Sequence, residues 1–238
     1  MKTRRKTKTI YKGNVAIGSD NIISVKSMTN TRTSDIKATV NQIKRLEKAG
    51  CDIIRVAVPD EKSANCLGAI KKQISIPLIA DIHFNQKLAL IAIEQGCDGI
   101  RINPGNIKDK EKVKEIVLLA KEKNIPIRIG LNSGSVERKS GDIVVDMVDA
   151  AKKYINWFES WDFTNIIVSL KASNIKDTIR GYEIMAEKCD YPLHLGVTAA
   201  GSLRGGTVKS ALGICSLLMK GIGDTIIVSL TYDPVEEV

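Results

Sequence analysis

Short apolar runs alternate with amphipathic segments along the whole chain. The apolar runs have the length and the β-branched content of single strands, and they cover Ile22–Ser27, Asp52–Val58, Pro77–His83, Gly99–Asn103, Pro126–Leu131, Asn165–Lys171, Pro192–Thr198 and Thr225–Leu230. The intervening segments show apolar residues at helical spacing, and they cover Asp35–Ala49, Glu61–Lys72, Asn85–Gln95, Asp109–Lys123, Asp142–Trp161, Lys176–Lys188 and Thr207–Lys220. Strict alternation of strand and helix predicts a parallel sheet.

A weak internal repeat strengthens this prediction. Ala49–Val56 resembles Gln95–Ile102, and residues 219–226 form a looser third copy. Each copy has a glycine where a helix should end, followed by an aspartate and a strand. Eight strands in 238 residues favour closure into a (β/α)₈ TIM barrel, with an open doubly wound sheet as the alternative.

The two ends of the chain depart from the repeat. Thr9–Ile17 reads as a β-hairpin that turns at Gly13-Asn14, and we expect it to plug the bottom of the barrel. We therefore divide the chain into a basic arm with the hairpin, residues 1–20, and the barrel, residues 21–238. Asp233-Pro234 has the cap and first-turn residues of an eighth helix, which the end of the chain would truncate.

Polar side chains share one parity near the C-terminal end of most strands. They are Arg55, Asp81, His83, Arg101, Asn103, Arg128, Asn132, Ser169, Lys171, His194, Thr198 and Ser229. Successive strand residues face opposite sides of a sheet, and (β/α)₈ enzymes carry their active site at the C-terminal ends of the strands. An outward orientation would bury charges against apolar helices at several kcal/mol each, so we predict that this parity faces the barrel interior.

Four of these residues are cations, namely Arg55, Arg101, Arg128 and Lys171. Converging cations repel one another, so an anion is implied, and the planar guanidinium group suits phosphate oxygens. The alternative is internal pairing with acids, of which Asp81 is placed to neutralise one.

Three short loops and the two histidines add candidate polar groups. Residues 103–106, 132–135 and 201–206 are rich in Gly, Asn and Ser, and loops of this kind present backbone N–H groups to phosphate. His83 follows Asp81 at a strand end and is a candidate donor of a hydrogen bond or a proton. For His194, packing and function stay equally open.

Composition restricts the partners. Lys and Arg total 36 against 27 Asp and Glu, a net charge of +9 that favours anionic ligands. The lysine-rich helix faces are expected to be solvated, and aromatic residues are too few for an RNA-binding signature. The five cysteines form no CxxC pair, which predicts reduced thiols rather than a disulfide framework or a zinc site. With no membrane-length apolar run and no signal peptide, we expect a cytoplasmic protein.

Several motifs carry a family resemblance. They are Ser27–Thr31, Ala80–Phe84, Arg101–Asn106, Arg128–Asn132, Val168–Ser173, His194–Thr198 and Gly221–Thr225. In this order they closely resemble the 4-hydroxy-3-methylbut-2-en-1-yl diphosphate synthases, which act in non-mevalonate isoprenoid biosynthesis. The resemblance covers the whole chain and would make it the N-terminal barrel domain of that family.

The resemblance implies a reaction and a set of partners. The family reductively opens 2-C-methyl-D-erythritol 2,4-cyclodiphosphate, using a 4Fe–4S cluster in a C-terminal domain and flavodoxin or ferredoxin as electron donor. It works as a homodimer. By this resemblance the four cations bind the diphosphate, and the pocket is completed by Asp81, His83, Asn103, Asn132 and Ser229.

Three departures from the family pattern limit this expectation. The cluster ligands, three cysteines and a glutamate, belong to the C-terminal domain that this chain lacks. Ala199 stands where the family usually has glutamate, and Ile227 where it usually has arginine. We therefore expect weakened substrate recognition, and no turnover by this chain alone. The alternatives are a transferase barrel resembling dihydropteroate synthase, and a non-catalytic phosphate or nucleic-acid module whose basic arm, Lys2–Lys8, contacts nucleic acid.

Overall fold

The computed structural model describes residues 3–238 and contains two sheets. The strands are β1 Ile10–Lys12, β2 Val15–Ile17, β3 Ser24–Met28, β4 Ile53–Val58, β5 Leu78–Ile82, β6 Gly99–Ile102, β7 Ile127–Asn132, β8 Ile166–Lys171, β9 His194–Leu195 and β10 Thr225–Ile226. The larger sheet has eight parallel strands in the order β8-β7-β6-β5-β4-β3-β10-β9. A parallel bridge between Val168 and Leu193 joins its two ends, so the predicted (β/α)₈ barrel is confirmed and the open sheet was wrong.

The helices alternate with the barrel strands. They are α1 Ile36–Ala49, α2 Glu61–Asn65, α3 Leu67–Lys71, α4 Gln86–Glu94, α5 Lys110–Glu122, α6 Ile143–Ser160, α7 Ile175–Lys188 and α8 Leu203–Met219. Most begin directly after an Asp or Asn whose side chain accepts a hydrogen bond from a first-turn N–H, as Asp142 does from Val144. In these helices the cap fixes where the helix starts.

Two helices differ from the prediction. The segment predicted as one helix from Glu61 to Lys72 is interrupted at Cys66 and forms α2 and α3. Helix α8 begins at Leu203, inside the predicted loop 201–206. A Cβ on Gly206 would lie 2.5 Å from Leu230 Cδ2. This glycine therefore belongs to a helix and allows the first turn of α8 to pack closely against Leu230.

Successive side chains of a barrel strand face two different regions, namely the layer between the barrel and its helices and the inside of the barrel. Ile54 and Val56 of β4 belong to the same buried cluster as Ile43 and Leu46 of α1, between the barrel and its helices. Arg55, between them in sequence, has the opposite orientation and faces the barrel axis. The apolar outer face therefore attaches the helices while the inner face is left for polar residues.

The N-terminal hairpin covers the bottom of the barrel. Ile10 pairs with Ile17 across β1 and β2. Both isoleucines are buried in a small cluster with Ile53, Ile79 and Ile167, which lie near the N-terminal ends of their strands. The bottom is thus sealed by hydrocarbon, and solvent reaches the interior from the C-terminal side.

The two ends of the described chain both pack against the barrel. The predicted opening of an eighth helix is a 3₁₀ helix, Pro234–Glu237, capped by Asp233. Of the predicted basic arm Lys2–Lys8, Lys2 lies outside the described residues, whereas Arg4 and Arg5 bond to Asp224 and to backbone carbonyls of the barrel. Among residues 3–238 no helix combines the length and the apolar character that a membrane crossing requires.

Asp224 joins the N-terminal segment to the base of β9 and β10, and its removal should destabilise the fold. It is 1% exposed, accepts from Leu193 N at 2.7 Å and pairs with Arg4 at 2.9 Å. We expect Asp224→Ala to lower the free energy of unfolding by on the order of 3 kcal/mol, because a buried N–H and a guanidinium lose their acceptor. Urea denaturation followed by circular dichroism measures this. The exposed Asp20→Ala is the matched control, and an equal effect of both substitutions would contradict this role.

Candidate functional site

A cavity of about 210 Å³ opens at the C-terminal ends of the barrel strands. Its walls include eight of the predicted site residues, namely Arg55, Asp81, His83, Arg101, Arg128, Asn132, Lys171 and Ser229. Met28, Ser169, Val197 and Thr198 complete the lining. The structure therefore brings the four cations together at one place.

Asp81 holds two of these cations. Its Oδ2 lies 3.2 Å from Nη1 of Arg55, and its Oδ1 lies 3.1 Å from Nη1 of Arg101. Burial alone would raise the pKa of Asp81, but Arg55 and Arg101 together keep it well below its usual range. The carboxylate is therefore ionised at all physiological pH values and neutralises one charge of the pair. Internal pairing thus occurs, although one acid serves two arginines.

Two glycines make room for the cationic side chains. A Cβ on Gly130 would lie 2.6 Å from Nε of Arg101, and the carbonyl of Gly130 accepts from Nη2 of Arg101 at 2.8 Å. A Cβ on Gly196 would lie 2.8 Å from Nζ of Lys171. Sequence reasoning did not count these glycines as site residues. The available signal was a glycine at an inward position between polar residues of the same strand.

Arg128 and Lys171 form no salt bridge with a carboxylate in the described part of the chain. They are 1% and 8% exposed, and the Nε and Nη1 atoms of Arg128 lack a hydrogen-bond partner. Burial, followed by the charges of nearby arginines, lowers the pKa of both groups. Buried donors without acceptors indicate a site that an anion completes.

Glu237 is a neighbour of the site that the sequence did not predict. Its carboxylate accepts a hydrogen bond from Leu230 N at 2.7 Å, within electrostatic range of Arg55 and Lys171. Burial raises its pKa, and these cations oppose the rise. Glu237 lies in the 3₁₀ helix beyond the last strand, so strand parity gave no signal for it.

Asn103 organises two loops rather than lining the cavity. Its Nδ2 donates to Ser135 Oγ at 3.0 Å, and its Oδ1 accepts from Gly105 N at 3.0 Å. A Cβ on Gly105 would lie 1.9 Å from the carbonyl oxygen of Ser135, so the predicted loops 103–106 and 132–135 pack directly together. Their close contact explains why glycine stands at position 105.

The two histidines lie at different depths. His83 lines the cavity beside Asp81. His194 is fully buried on β9 below the cavity, and neither of its ring nitrogens has a hydrogen-bond partner. Burial, together with the charge of Arg128, lowers the pKa of His194 well below its usual value, so the ring is neutral.

The two substituted positions, Ala199 and Ile227, lie next to residues of the site without lining the cavity. Ile227 is 2% exposed, and its Cγ2 would lie 2.9 Å from a Cβ on Gly196. Ala199 directly follows the lining residue Thr198 and has a φ of 50°, in the left-handed region. Neither side chain supplies a charge to the cavity.

The cysteines of this chain do not fit a 4Fe–4S cluster. Residues 3–238 contain no group of three or more His, Cys, Asp or Glu side chains arranged to hold a metal. All five cysteines are free, and burial raises the pKa of Cys51 to about 11 and that of Cys97 to about 12. These two thiols are therefore protonated and buried at neutral pH.

The fold and the site define the class of this protein as a closed (β/α)₈ barrel with a recessed cationic mouth. Within that class, this chain belongs to the GcpE family, because the GcpE TIM-barrel domain matches residues 7–238. A 4-hydroxy-3-methylbut-2-en-1-yl diphosphate synthase (flavodoxin) of Caldanaerobacter subterraneus subsp. tengcongensis is 56% identical over 243 residues, covering 100% of this chain and 68% of the relative. The synthase of the same name from Bacillus mycoides is 54% identical, with 67% of its length covered. The chain thus spans about two thirds of the length of these relatives.

Similar solved structures include dihydropteroate synthases. The enzyme of Xanthomonas albilineans with 4-aminobenzoic acid has a TM-score of 0.69 at 12% identity, covering 97% of this chain and 95% of that one. The Yersinia pestis enzyme has a TM-score of 0.69 at 10% identity, covering 96% and 93%. At these identities the likeness shows the shared barrel fold alone. The transferase alternative is therefore not favoured over the family that the sequence matches.

Removal of the Asp81 carboxylate should make folding depend on added anions. Asp81→Asn leaves Arg55 and Arg101 without a counter-charge, which we expect to cost about 3 kcal/mol or more in the absence of ligand. Sulfate at tens of millimolar should raise the melting temperature of this variant by more than it raises that of the unsubstituted protein. Differential scanning calorimetry measures both. Equal sulfate responses would show that the arginines do not depend on Asp81.

The backbone of Ala199 should favour glycine. Left-handed φ values cost non-glycine residues roughly 1 kcal/mol. We expect Ala199→Gly to raise the free energy of unfolding by several tenths of a kcal/mol, since relief of strain exceeds the entropy gained by the unfolded chain. Ala200→Gly is the neighbouring control and should destabilise. Chemical denaturation decides, and a loss of stability in Ala199→Gly would contradict the left-handed conformation.

Proposed function

We propose that this chain is the substrate-binding barrel of a 4-hydroxy-3-methylbut-2-en-1-yl diphosphate synthase and that its mouth holds 2-C-methyl-D-erythritol 2,4-cyclodiphosphate. The observation that carries the proposal is the convergence of Arg55, Arg101, Arg128 and Lys171 on one cavity. Family membership and the names of the relatives support the choice of substrate.

The charge of the cavity suits a compact dianion. Four cations face Asp81 in the lining and Glu237 nearby, so two positive charges remain when both carboxylates are ionised and Lys171 is protonated. A cyclic diphosphate carries one negative charge on each phosphorus and supplies the missing two. The volume of about 210 Å³ is below the usual range for drug-sized ligands, which favours a small, densely charged molecule.

The side chains divide into direct and supporting groups. We assign direct phosphate contacts to Arg128 and Lys171, which form no salt bridge among the described residues. Arg55 and Arg101 are held in place by Asp81 and present their remaining N–H groups to the same ligand. A fixed guanidinium loses little conformational entropy on binding, so the Asp81 pair provides a preorganised half of the site.

Neutral groups then orient the ring. His83, Asn132 and Ser229 line the cavity and are suited to hydrogen bonds with hydroxyl or phosphate oxygens. The amide of Asn132 is itself positioned by Thr198, whose Oγ1 donates to Oδ1 at 3.3 Å. We assign Asn103 to the support of the loop beside them.

The redox part of the reaction is proposed only for the complete family enzyme. The resemblance implies a 4Fe–4S cluster, a homodimer and electron delivery by flavodoxin or ferredoxin in the cytoplasm. The cysteines of residues 3–238 do not fit such a cluster, and Ala199 offers no acid for proton transfer. We therefore propose that the residues present here bind and orient the substrate but do not reduce it.

Titration calorimetry with the cyclodiphosphate tests the binding proposal. We expect Lys171→Met and Arg128→Met to weaken binding by about 10- to 100-fold each, because each removes a charge-assisted contact to phosphate. Lys44→Met, on the exposed face of α1, is the control and should bind as the unsubstituted protein does. No heat at millimolar ligand, or equal affinity in all variants, would rule out this site.

A further inference from the structure

The barrel interior below the mouth is basic rather than apolar. Interiors of (β/α)₈ barrels are usually filled by Val, Ile and Leu. Here the fully buried residues below the cavity include Lys26 of β3 and His194 of β9, close to Arg128 of β7, which lines the cavity. Lys12 extends from the hairpin towards them and is 1% exposed. The structure therefore places two amines under the proposed ligand site.

These buried amines lack a carboxylate of their own. Among the described residues, the charged and titratable groups that face Lys26 are Lys12 from the hairpin, the Cys51 thiol that precedes β4, Arg55 from β4, Asp81 from β5, Arg128 from β7 and His194 from β9. Asp81 is the acid in this set, and it is already engaged by Arg55 and Arg101. The Nζ of Lys26 has no hydrogen-bond partner. Lys12 faces Arg128, Arg55, His194 and the Cys97 thiol as well as Lys26.

A neutral amine is the stable form in such surroundings. Guanidinium groups keep their protons under all ordinary conditions, whereas buried lysines release theirs. Burial, and then the charges of Arg128 and Arg55, lower the pKa of Lys12 to about 7. Burial and Arg128 likewise lower the pKa of Lys26 well below its usual value. An anion in the mouth reverses the electrostatic balance, because its charge favours the ammonium forms.

We propose that Lys26 and Lys12 take up protons from solvent when the polyanion enters the mouth, so that above neutral pH these two amines become charged only when the ligand is bound. Each step adds one proton to an amine lone pair and changes no other bond. The two lysines thereby act as positioning residues. Their positive charges strengthen binding through the electrostatic field, although neither lysine touches the ligand. This inference rests on the proposed function of the mouth.

The sign of the pH dependence follows from the two states. A group whose pKa is raised by the ligand supports binding fully at pH values below its pKa in the free protein. This support is lost as pH rises towards its pKa in the complex. For Lys12 the loss therefore begins near pH 7. Affinity should fall by about tenfold per pH unit for each proton taken up in this window.

The cyclodiphosphate is a suitable probe because each phosphorus carries a single, strongly acidic oxygen. It remains a dianion between about pH 6 and 9, so any proton exchanged on binding comes from the protein. Titration calorimetry at pH 8, in buffers of different ionisation enthalpy and without phosphate, gives the number of protons. We expect an uptake of about one to two protons by the unsubstituted protein.

Variants assign these protons among the buried amines. Lys171 in the mouth is a third candidate, because burial and the charge of Arg128 also lower its pKa. Lys26→Met and Lys12→Met keep the length of the side chain and remove the amine, and each should reduce the uptake and flatten the pH dependence of the dissociation constant. Lys44→Met on exposed α1 should leave both unchanged. A purely structural role would lower stability without changing the proton count.

The outcomes separate the inference from the proposed function. Binding without proton uptake in the unsubstituted protein overturns the inference and leaves the binding site intact. Uptake that is unchanged in a folded Lys26→Met or Lys12→Met variant also overturns it. If one variant does not fold, the other variant and the unsubstituted protein decide. No binding of the cyclodiphosphate at any pH overturns both the proposed function and this inference.

Discussion

An excess of positive charge inside a closed barrel is the constraint on which the rest of the site depends. Arg55, Arg101, Arg128 and Lys171 share one cavity, while Asp81 is the acid in its lining. Between side chains that are this deeply buried, the repulsion is expensive unless the interior contains fixed counter-charges, groups that lose protons, or a bound anion. The chain uses the first through Asp81, and we infer the other two from its buried lysines and open mouth.

The barrel tolerates this charge because its two faces are separated. The outer faces of the strands bury Ile, Val and Leu against the helices, and the hairpin seals the bottom with Ile10 and Ile17. Stability is thus supplied by the outer core, which leaves the inner face free for chemistry. Gly130 and Gly196 add to this separation. Because neither has a side chain, Arg101 and Lys171 can occupy the space beside them on the inner face.

Fold and site give separate information about this protein. Dihydropteroate synthases share the barrel with a TM-score of 0.69, yet at 12% identity this likeness concerns the path of the backbone. The relatives above 50% identity share the sequence over the whole chain. Function in this fold resides in the strand-end side chains, so the family match rather than the structural likeness identifies the chemistry.

The sequence by itself determined the barrel fold and most of the residues that line the site. Alternation of strands and helices gave the fold, and strand parity selected Arg55, Arg101, Arg128 and Lys171, because these periodicities are local properties of the chain. Only the tertiary structure decided that Asp81 serves two arginines. It also showed that Asn103 supports a loop, that Glu237 approaches the mouth and that Lys12 and Lys26 lie below it. These facts depend on contacts between residues distant in sequence, and the pattern along a single strand carries no record of such contacts.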